Sequence, residues 1–195
     1  AGQLTLPRTS PDWLKLELLI RILGGEGANR LFGVLRTDRG LTYGASADLQ
    51  TFKFSGGYVA STNTRTETTG EALRLLVDEI TRLTRERVGE RELGGVQDFF
   101  GGNFPLTIET PNEIATQVLN TVFYDLPVSE ITTFRDRVLA VTAADVQQSF
   151  PLCDVILCRE LDRDIQEGAL HTGLSSVTQF LGQRRPSAIR APGPG

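Results

Sequence analysis

The chain has 195 residues, of which 39% are hydrophobic and 23% charged, a composition typical of folded globular proteins rather than disordered or collagen-like chains. Its 20 lysines and arginines and 24 aspartates and glutamates leave a formal net charge of -4, without the basic excess of nucleic-acid-binding proteins. The sequence also lacks an apolar run of the ~18 residues that a membrane-spanning helix needs. We therefore expect no nucleic-acid partner and no membrane span in this chain.

The first segment predicts a short strand followed by an apolar helix. Apolar and polar residues alternate over 3–6, and Pro7 ends the strand. Ser10 is placed to cap the next helix, with Pro11 in its first turn. The helix predicted over 13–23 is apolar on nearly every side, so we expect other elements to cover most of it.

The following segments predict a second helix, a hairpin and a long helix. Over 28–37, apolar residues recur at helical spacing before a glycine. Alternation over 41–49 and 52–61 predicts two antiparallel strands joined by a short turn at Gln50-Thr51. The long amphipathic helix over 71–87 should pack its apolar face on that hairpin, because the hairpin is the nearest apolar partner along the chain.

The second half of the sequence predicts mainly helices. They cover 90–100, 110–124 with a capping box at its start, 129–140 and 142–148, and a β-rich run follows at 152–158. Grouped antiparallel strands followed by grouped helices predict an α+β fold, a mainly antiparallel sheet with helices packed on one face.

The chain divides into three segments by its patterns. We expect one domain over 1–150, then a final strand and an unassigned segment over 151–185. The Pro- and Gly-rich tail over 186–195 has a composition typical of disorder.

Few residues of this chain could bind a metal ion or act as a nucleophile. Cys153 and Cys158 are too few for a four-cysteine zinc site; they are interpreted as small apolar residues in or beside a strand, with a local disulfide left open. His171 is the only histidine, so a zinc site built by this chain alone is not expected, nor is a Ser/His/Asp or Cys/His arrangement.

One glycine-rich segment superficially suggests a phosphate-binding loop. Gly24-Gly25-Glu26-Gly27 precedes a predicted helix, but a helix rather than a strand comes before it and no lysine follows. The segment therefore predicts a turn between two helices.

The segment from 23 to 43 carries a pattern of several motifs. It contains Leu23-Gly24-Gly25, Asn29-Arg30-Leu31-Phe32, Leu35-Arg36 and Gly40-Leu41-Thr42-Tyr43. This pattern resembles the C-terminal half of the pitrilysin family of zinc metallopeptidases, which includes insulinase and the mitochondrial processing peptidase, where a text close to LGG…SRLF..LR...GL.Y recurs. The resemblance continues through the strands, the helix at 71–87, the E-T-P-N-E-I-A run at 109–115 and the V-T-A-A-D-V run ending at Val146. It covers about residues 10–150.

The resemblance implies the non-catalytic half of a two-half enzyme. In the family, the zinc ligands and the general-base glutamate lie in an inverted H-x-x-E-H motif of the N-terminal half, and this chain has no such motif. We therefore expect this chain to bind no cofactor and to be inactive alone. The zinc should lie in a partner half, on the same chain or on a separate subunit, and the substrate should be a peptide.

The family's C-terminal half also supplies an arginine and, seven residues later, a tyrosine that reach the substrate near the zinc. Arg36 and Tyr43 match these two positions. A guanidinium and a phenol are hydrogen-bond donors that can polarise a peptide carbonyl or stabilise an oxyanion. The structural alternative is that Arg36 caps the end of its helix and Tyr43 is a half-buried strand residue.

Two other functions stay open at this point. The parent protein could be a proteolytically inert assembly subunit of the same fold, as the core proteins of the respiratory cytochrome bc complex resemble this family without cleaving peptides. The chain could also be an unrelated α+β binding module, if the 23–43 pattern arose by chance. Residues 153–195 depart from the family, which normally ends this half with a strand and a Gly-containing turn. A periplasmic location would follow only if the protein is a bacterial relative.

Overall fold

The computed structural model describes residues 1–26 and 29–149. In these residues the strands are β1 (Gly2–Thr5), β2 (Thr42–Thr51) and β3 (Gly56–Thr64). The helices are α1 (Trp13–Gly24), α2 (Arg30–Phe32), α3 (Thr69–Arg85), α4 (Glu90–Asn103), α5 (Pro111–Phe123), α6 (Ser129–Ala140) and α7 (Ala143–Ser149). The predicted α+β class is confirmed. The strand predicted at 152–158, the segments 151–185 and 186–195, and Cys153, Cys158 and His171 lie outside the described residues.

The three strands form one antiparallel sheet in the order β1-β3-β2. The predicted hairpin is confirmed, but its turn is not at Gln50-Thr51, because the pairing of β2 with β3 continues to Thr51 opposite Gly56. The turn lies at 52–55 instead, where the Phe52 N–H donates to the Ser55 carbonyl at 3.1 Å.

Helix α1 is the centre of the core. It packs against β2 and also contacts α2, α3, α4 and α7. As its apolar sequence predicts, most of its residues are buried: Leu14, Leu16, Leu18, Leu19, Ile20, Ile22 and Leu23. Its last residue, Gly24, meets β2 so closely that a Cβ there would lie 2.2 Å from the Ala47 nitrogen. A side chain at this position would therefore force the helix away from the sheet.

The prediction that Ser10 caps α1 is wrong. The N-cap residue is Asp12, whose side chain makes no capping bond. Ser10 instead forms the turn before the helix: its Oγ accepts a hydrogen bond from the Asp12 N–H at 3.3 Å, and its carbonyl accepts one from the Trp13 N–H at 3.1 Å. The turn therefore uses the hydroxyl that the sequence pattern assigned to the helix.

The long helix α3 buries the face that its sequence predicts. Leu76, Val77, Ile80 and Leu83 are buried, and Leu73 is half-buried. The expected packing on the hairpin is confirmed only in part, because α3 contacts β3 and also α1, α2 and the helical segment that follows α2. Helix α3 therefore packs against neighbouring helices as well as against the sheet.

The C-terminal helices begin at the predicted caps. At the start of α5, the Thr110 N–H donates to Glu113 Oε2 at 2.8 Å and the Glu113 N–H donates to Thr110 Oγ1 at 3.3 Å. Thr142 and Asp145 make the same reciprocal pair before α7. A short 3-10 segment, Phe104–Ile108, separates α4 from α5.

Candidate functional site

Arg36 and Tyr43 lie on either side of one tight turn. Helix α2 continues as a π-helix over Gly33–Asp38, and the chain then reverses at Gly40, which has a φ of +61°. Two hydrogen bonds close the turn, from the Gly40 N–H to the Arg36 carbonyl (3.0 Å) and from the Leu41 N–H to the Leu35 carbonyl (2.8 Å). Glycine adopts this left-handed conformation without steric cost. The turn brings the end of the helix beside the start of β2.

The helical segment that carries Arg36 is anchored at its beginning and along one side. Asn29 caps it, because its Oδ1 accepts a hydrogen bond from the Phe32 N–H at 2.8 Å. Leu31 and Leu35 are fully buried, while Arg36 is exposed. Of the helix predicted over 28–37, the described part is helical from Arg30 onward, and it winds as a π-helix in the part that carries Arg36. Single π-helical turns are frequent at functional sites.

A partly buried ion pair fixes the same segment to α4. The Arg30 guanidinium, with 8% of its side chain exposed, donates two hydrogen bonds of 2.8 Å to the carboxylate of Glu92. Glu92 also accepts a hydrogen bond from the Gly89 N–H at 3.0 Å. The bond from Arg30, followed by that from Gly89, lowers the pKa of Glu92 despite its partial burial. The first turn of α2 thus has a second anchor besides the core.

A β-bulge at the start of β2 turns Tyr43 toward solvent. Thr42 pairs with Thr64 but Ala45 pairs with Thr62, so β2 has one more residue than β3 between these pairs. From Ala45 onward the odd-numbered residues of β2 face the helices. A regular strand would direct Tyr43 the same way, but the bulge leaves 86% of it exposed.

Threonine side chains hold the bulge in place. The Gly44 N–H donates to Thr42 Oγ1 at 3.1 Å, and the Thr42 hydroxyl lies 2.6 Å from the Asn63 carbonyl. The Thr62 hydroxyl donates to the Gly44 carbonyl at 3.1 Å. These bonds tie the backbone of Gly44 and Asn63 to threonine side chains at the point where the register shifts.

Arg36 and Tyr43 are in direct contact. Arg36 Nη1 donates to the Tyr43 carbonyl at 2.9 Å. The Arg36 guanidinium carbon lies 4.6 Å from the centre of the Tyr43 ring and 4.8 Å from that of Phe32. The guanidinium is thus held by two aromatic rings while its other N–H groups stay exposed. We call Phe32, Arg36 and Tyr43 the arginine–tyrosine corner.

The structure bears on both interpretations of these two residues. Arg36 and Tyr43 lie in contact, and the interpretation of Tyr43 as a half-buried strand residue is wrong, because the bulge exposes it. Arg36 bonds to the carbonyl of Tyr43, a strand residue, rather than to its own helix. Phe32 was not predicted to contact Arg36, although residues four positions apart lie on one face of a helix and this spacing was a usable signal.

A zinc ion does not fit the part of the chain that is described. Among residues 1–26 and 29–149, no group of three His, Cys, Asp or Glu side chains is placed to hold a metal ion. The corner offers a guanidinium and a phenol, and neither group is among the usual zinc ligands, which are Cys, His, Asp and Glu. Within the same residues, no helix has the length and apolarity to cross a membrane.

Several solved structures have the same fold. A peptidase M16 inactive domain from Pseudomonas fluorescens is 27% identical, with a TM-score of 0.70 over 75% of this chain and 35% of that chain. The periplasmic protease PqqL from Escherichia coli is 18% identical, with a TM-score of 0.64 over 78% of this chain and 17% of that chain. A chain of Complex III2 from Candida albicans is 12% identical, with a TM-score of 0.64 over 77% of this chain and 38% of that chain.

The two matches below 25% identity show the fold alone. The chain spans about a third of the length of the first solved structures that it matches. A comparison with curated proteins found no match. The sequence profile described as the peptidase M16 inactive domain matches residues 2–99, about half of the chain. The chain therefore belongs to the peptidase M16 inactive domain family, the non-catalytic C-terminal half of pitrilysin-like zinc metallopeptidases.

Proposed function

We propose that this chain is the substrate-binding and chamber-forming half of a zinc metallopeptidase, and that Arg36 and Tyr43 donate hydrogen bonds to a carbonyl of the peptide substrate. The zinc and its chemistry belong to the partner half, which carries the H-x-x-E-H motif. The family match supports the non-catalytic role. The observation that carries the proposal for the two residues is the exposed contact of the guanidinium with the Tyr43 ring.

The geometry of the corner favours a binding role over a structural one. A tyrosine that is 86% exposed adds little to the core, and three separate anchors fix the segment carrying its partner. Donors that are fixed before the substrate binds lose little conformational freedom when they bond to it. The exposed N–H groups of Arg36 and the phenol of Tyr43 are therefore suited to bond with a carbonyl oxygen presented by a partner half.

The test is the substitution Tyr43→Phe in the assembled two-half enzyme. Because one donor is removed, kcat should fall by about 10²–10³-fold, with the melting temperature of this domain almost unchanged. Arg36→Lys should also lower kcat, since an ammonium lacks the planar fork of the guanidinium. The readouts are steady-state peptide hydrolysis and thermal melting of the isolated chain.

Tyr124→Phe is the matched control, because it removes a hydroxyl that bonds within the fold. The Tyr124 hydroxyl donates to the Thr51 carbonyl at 3.2 Å, at the opposite end of β2 from Tyr43. Its loss should cost ~1 kcal/mol of stability and leave kcat unchanged. Normal turnover in both Tyr43→Phe and Arg36→Lys would remove the case for the corner.

The second candidate is a proteolytically inert assembly subunit. The observation that favours it is the shared fold with Complex III2. This candidate requires that the parent protein lack a zinc-bearing half. An H-x-x-E-H motif in the partner sequence, together with peptide hydrolysis by the complex, would therefore exclude it in favour of the peptidase.

A further inference from the structure

The residues that helix α5 buries or half-buries against the domain are polar, and its large apolar residues are exposed. Gln117, Asn120 and Thr121 line a half-open cavity of about 450 Å³ between α1, α4, α5 and α6. Thr121 is the one residue of α5 that is buried. Most of the apolar residues of this helix face outward, and they are between 41% and 66% exposed: Ile114, Val118, Leu119, Val122 and Phe123. A surface helix of an isolated domain normally has the opposite orientation.

The exposed apolar side of α5 continues onto the β2–β3 turn. Phe52 and Phe54 in this turn are 53% and 89% exposed. Lys53 joins the two segments, because its Nζ lies 2.9 Å from a carboxylate oxygen of Asp125 and 5.6 Å from the centre of the Phe123 ring. The combined surface is here called the α5 patch, and it consists of Phe52, Phe54, Val118, Leu119, Val122 and Phe123.

The α5 patch has the anatomy of an interface between proteins or domains. Its apolar residues lie beside a charged pair, Lys53 and Asp125, as in interfaces with an apolar centre and a polar rim. Contiguous exposed apolar surfaces of this kind on soluble proteins mark sites of association. In the part of the chain that the structure describes, all six side chains of the α5 patch are exposed.

We propose that the α5 patch is the surface on which the zinc-bearing half packs, an inference that rests on the proposed function. Two of the solved structures are almost three times as long as the part that this chain matches, so in them the domain has a large covalent neighbour. The patch lies at the Thr51 end of β2 and the arginine–tyrosine corner at the Thr42 end. The 10 residues of β2 correspond to ~30 Å. A partner of about this chain's size is ~40 Å across, so it can cover both ends at once.

The test measures binding of the 195-residue chain to the separately expressed zinc-bearing half. Val122→Asp and Phe54→Ser each place a polar group in the patch without touching the core. Each should raise the dissociation constant by about 30-fold or more, as substitutions at the centre of an interface do. Leu139→Asp, on α6 outside the patch and 48% exposed, is the matched control and should change it by about twofold at most.

Turnover separates this inference from the proposed function. The patch variants should regain full turnover when the chain is saturating, whereas Tyr43→Phe should bind normally and stay slow. Unchanged binding by both patch variants would overturn the docking surface and leave the corner untouched. Self-association of the chain that Val122→Asp abolishes, with unchanged binding to the zinc-bearing half, would also overturn it in favour of a second copy. Circular dichroism melts of each variant confirm that the fold is intact.

Discussion

The segment before α5 and the segment that contains α5 and α6 are packed very differently. In the described residues, every buried hydrophobic side chain lies at or before Leu93 except Val138, Ala143 and Val146. Helix α5 contributes no buried hydrophobic residue, and most of its large apolar side chains are exposed. The core is therefore built mainly by the first segment around α1, and Val138, Ala143 and Val146 join it from α6 and α7.

This difference shows that amphipathicity and burial are separate properties of a helix. Helices α3 and α5 both carry an apolar face, but α3 turns that face toward the core and α5 turns it outward. Hydrophobic burial contributes about 25 cal/mol per Å² of apolar surface, so α5 obtains little of it from this chain alone. We therefore expect substitutions in the two helices to differ sharply in their effect on stability.

The largest difference should appear between two leucine-to-alanine substitutions. Leu76 in α3 is 2% exposed and Leu119 in α5 is 66% exposed. Leu76→Ala should lower the free energy of unfolding by about 2–5 kcal/mol, because it leaves a cavity in the core. Leu119→Ala should change it by less than about 0.5 kcal/mol. Urea denaturation of the isolated chain measures both.

Equal losses for the two leucines would break the comparison. A loss under ~1 kcal/mol for Leu76→Ala would mean that its site collapses around the missing atoms. A large loss for Leu119→Ala would mean that α5 is already covered in the isolated chain, for example by self-association. Sedimentation velocity on the same samples distinguishes that case.

A smaller effect should distinguish two glycines within the first segment. Gly24→Ala inserts a Cβ 2.2 Å from the Ala47 nitrogen, so α1 and β2 must separate and the chain should lose about 1–3 kcal/mol of stability. Gly95 lies within α4 with no atom near its missing Cβ, and Gly95→Ala should add about 0.5–1 kcal/mol. Thermal melts check both, and a stable Gly24→Ala variant would show that the contact between α1 and the sheet is loose.

The smallest effect is a dependence on pH with opposite signs at two glutamates. Burial raises the pKa of Glu17 in α1, an effect that Arg21 and Arg8 only partly offset, whereas the bond from Arg30 lowers the pKa of Glu92. The raised pKa costs stability as the pH rises above the ordinary range of glutamate. The lowered pKa adds stability there that is lost as the pH falls.

At pH 7, Glu17→Gln should therefore raise the melting temperature and Glu92→Gln should lower it. Both differences should shrink as the pH falls through the ordinary range of glutamate, and the difference at Glu92 should persist to lower pH because its pKa in the folded chain is lowered. Melting curves across this range provide the measurement. A lower melting temperature in both variants would show that Glu17 is charged and well paired in the folded chain, and a higher one in both would show that the bond from Arg30 does not stabilise the ionised Glu92.

The sequence predicted the elements better than their ends and directions. Helical spacing and caps such as Thr110 and Thr142 act through neighbours in the chain, so they can be identified without the fold. Ser10 was misassigned because its hydroxyl has a competing partner in the preceding turn. The hairpin turn was misplaced because the pairing of Thr51 with Gly56 depends on the opposite strand.

The corner was predicted only in part. The motif identified Arg36 and Tyr43 but not Phe32 as a member of the contact. The bulge that exposes Tyr43 could not be predicted, since it depends on bonds from Thr42 and Thr62 across two strands. The outward apolar side of α5 was not predicted either, because periodicity gives the width of an apolar face but not its direction.

Because residues Gly33–Asp38 wind as a π-helix, the direction in which the Arg36 side chain points depends on the number of residues in this segment. A π-turn holds one residue more than an α-turn, and each residue of an α-helix turns the chain by about 100°. Deleting one residue from this turn would let it rewind as an α-helix and swing the positions that follow by roughly that angle. The aim of the guanidinium is thus more sensitive to an insertion or deletion than to most substitutions nearby, and a shortened loop of otherwise identical composition would point its arginine elsewhere.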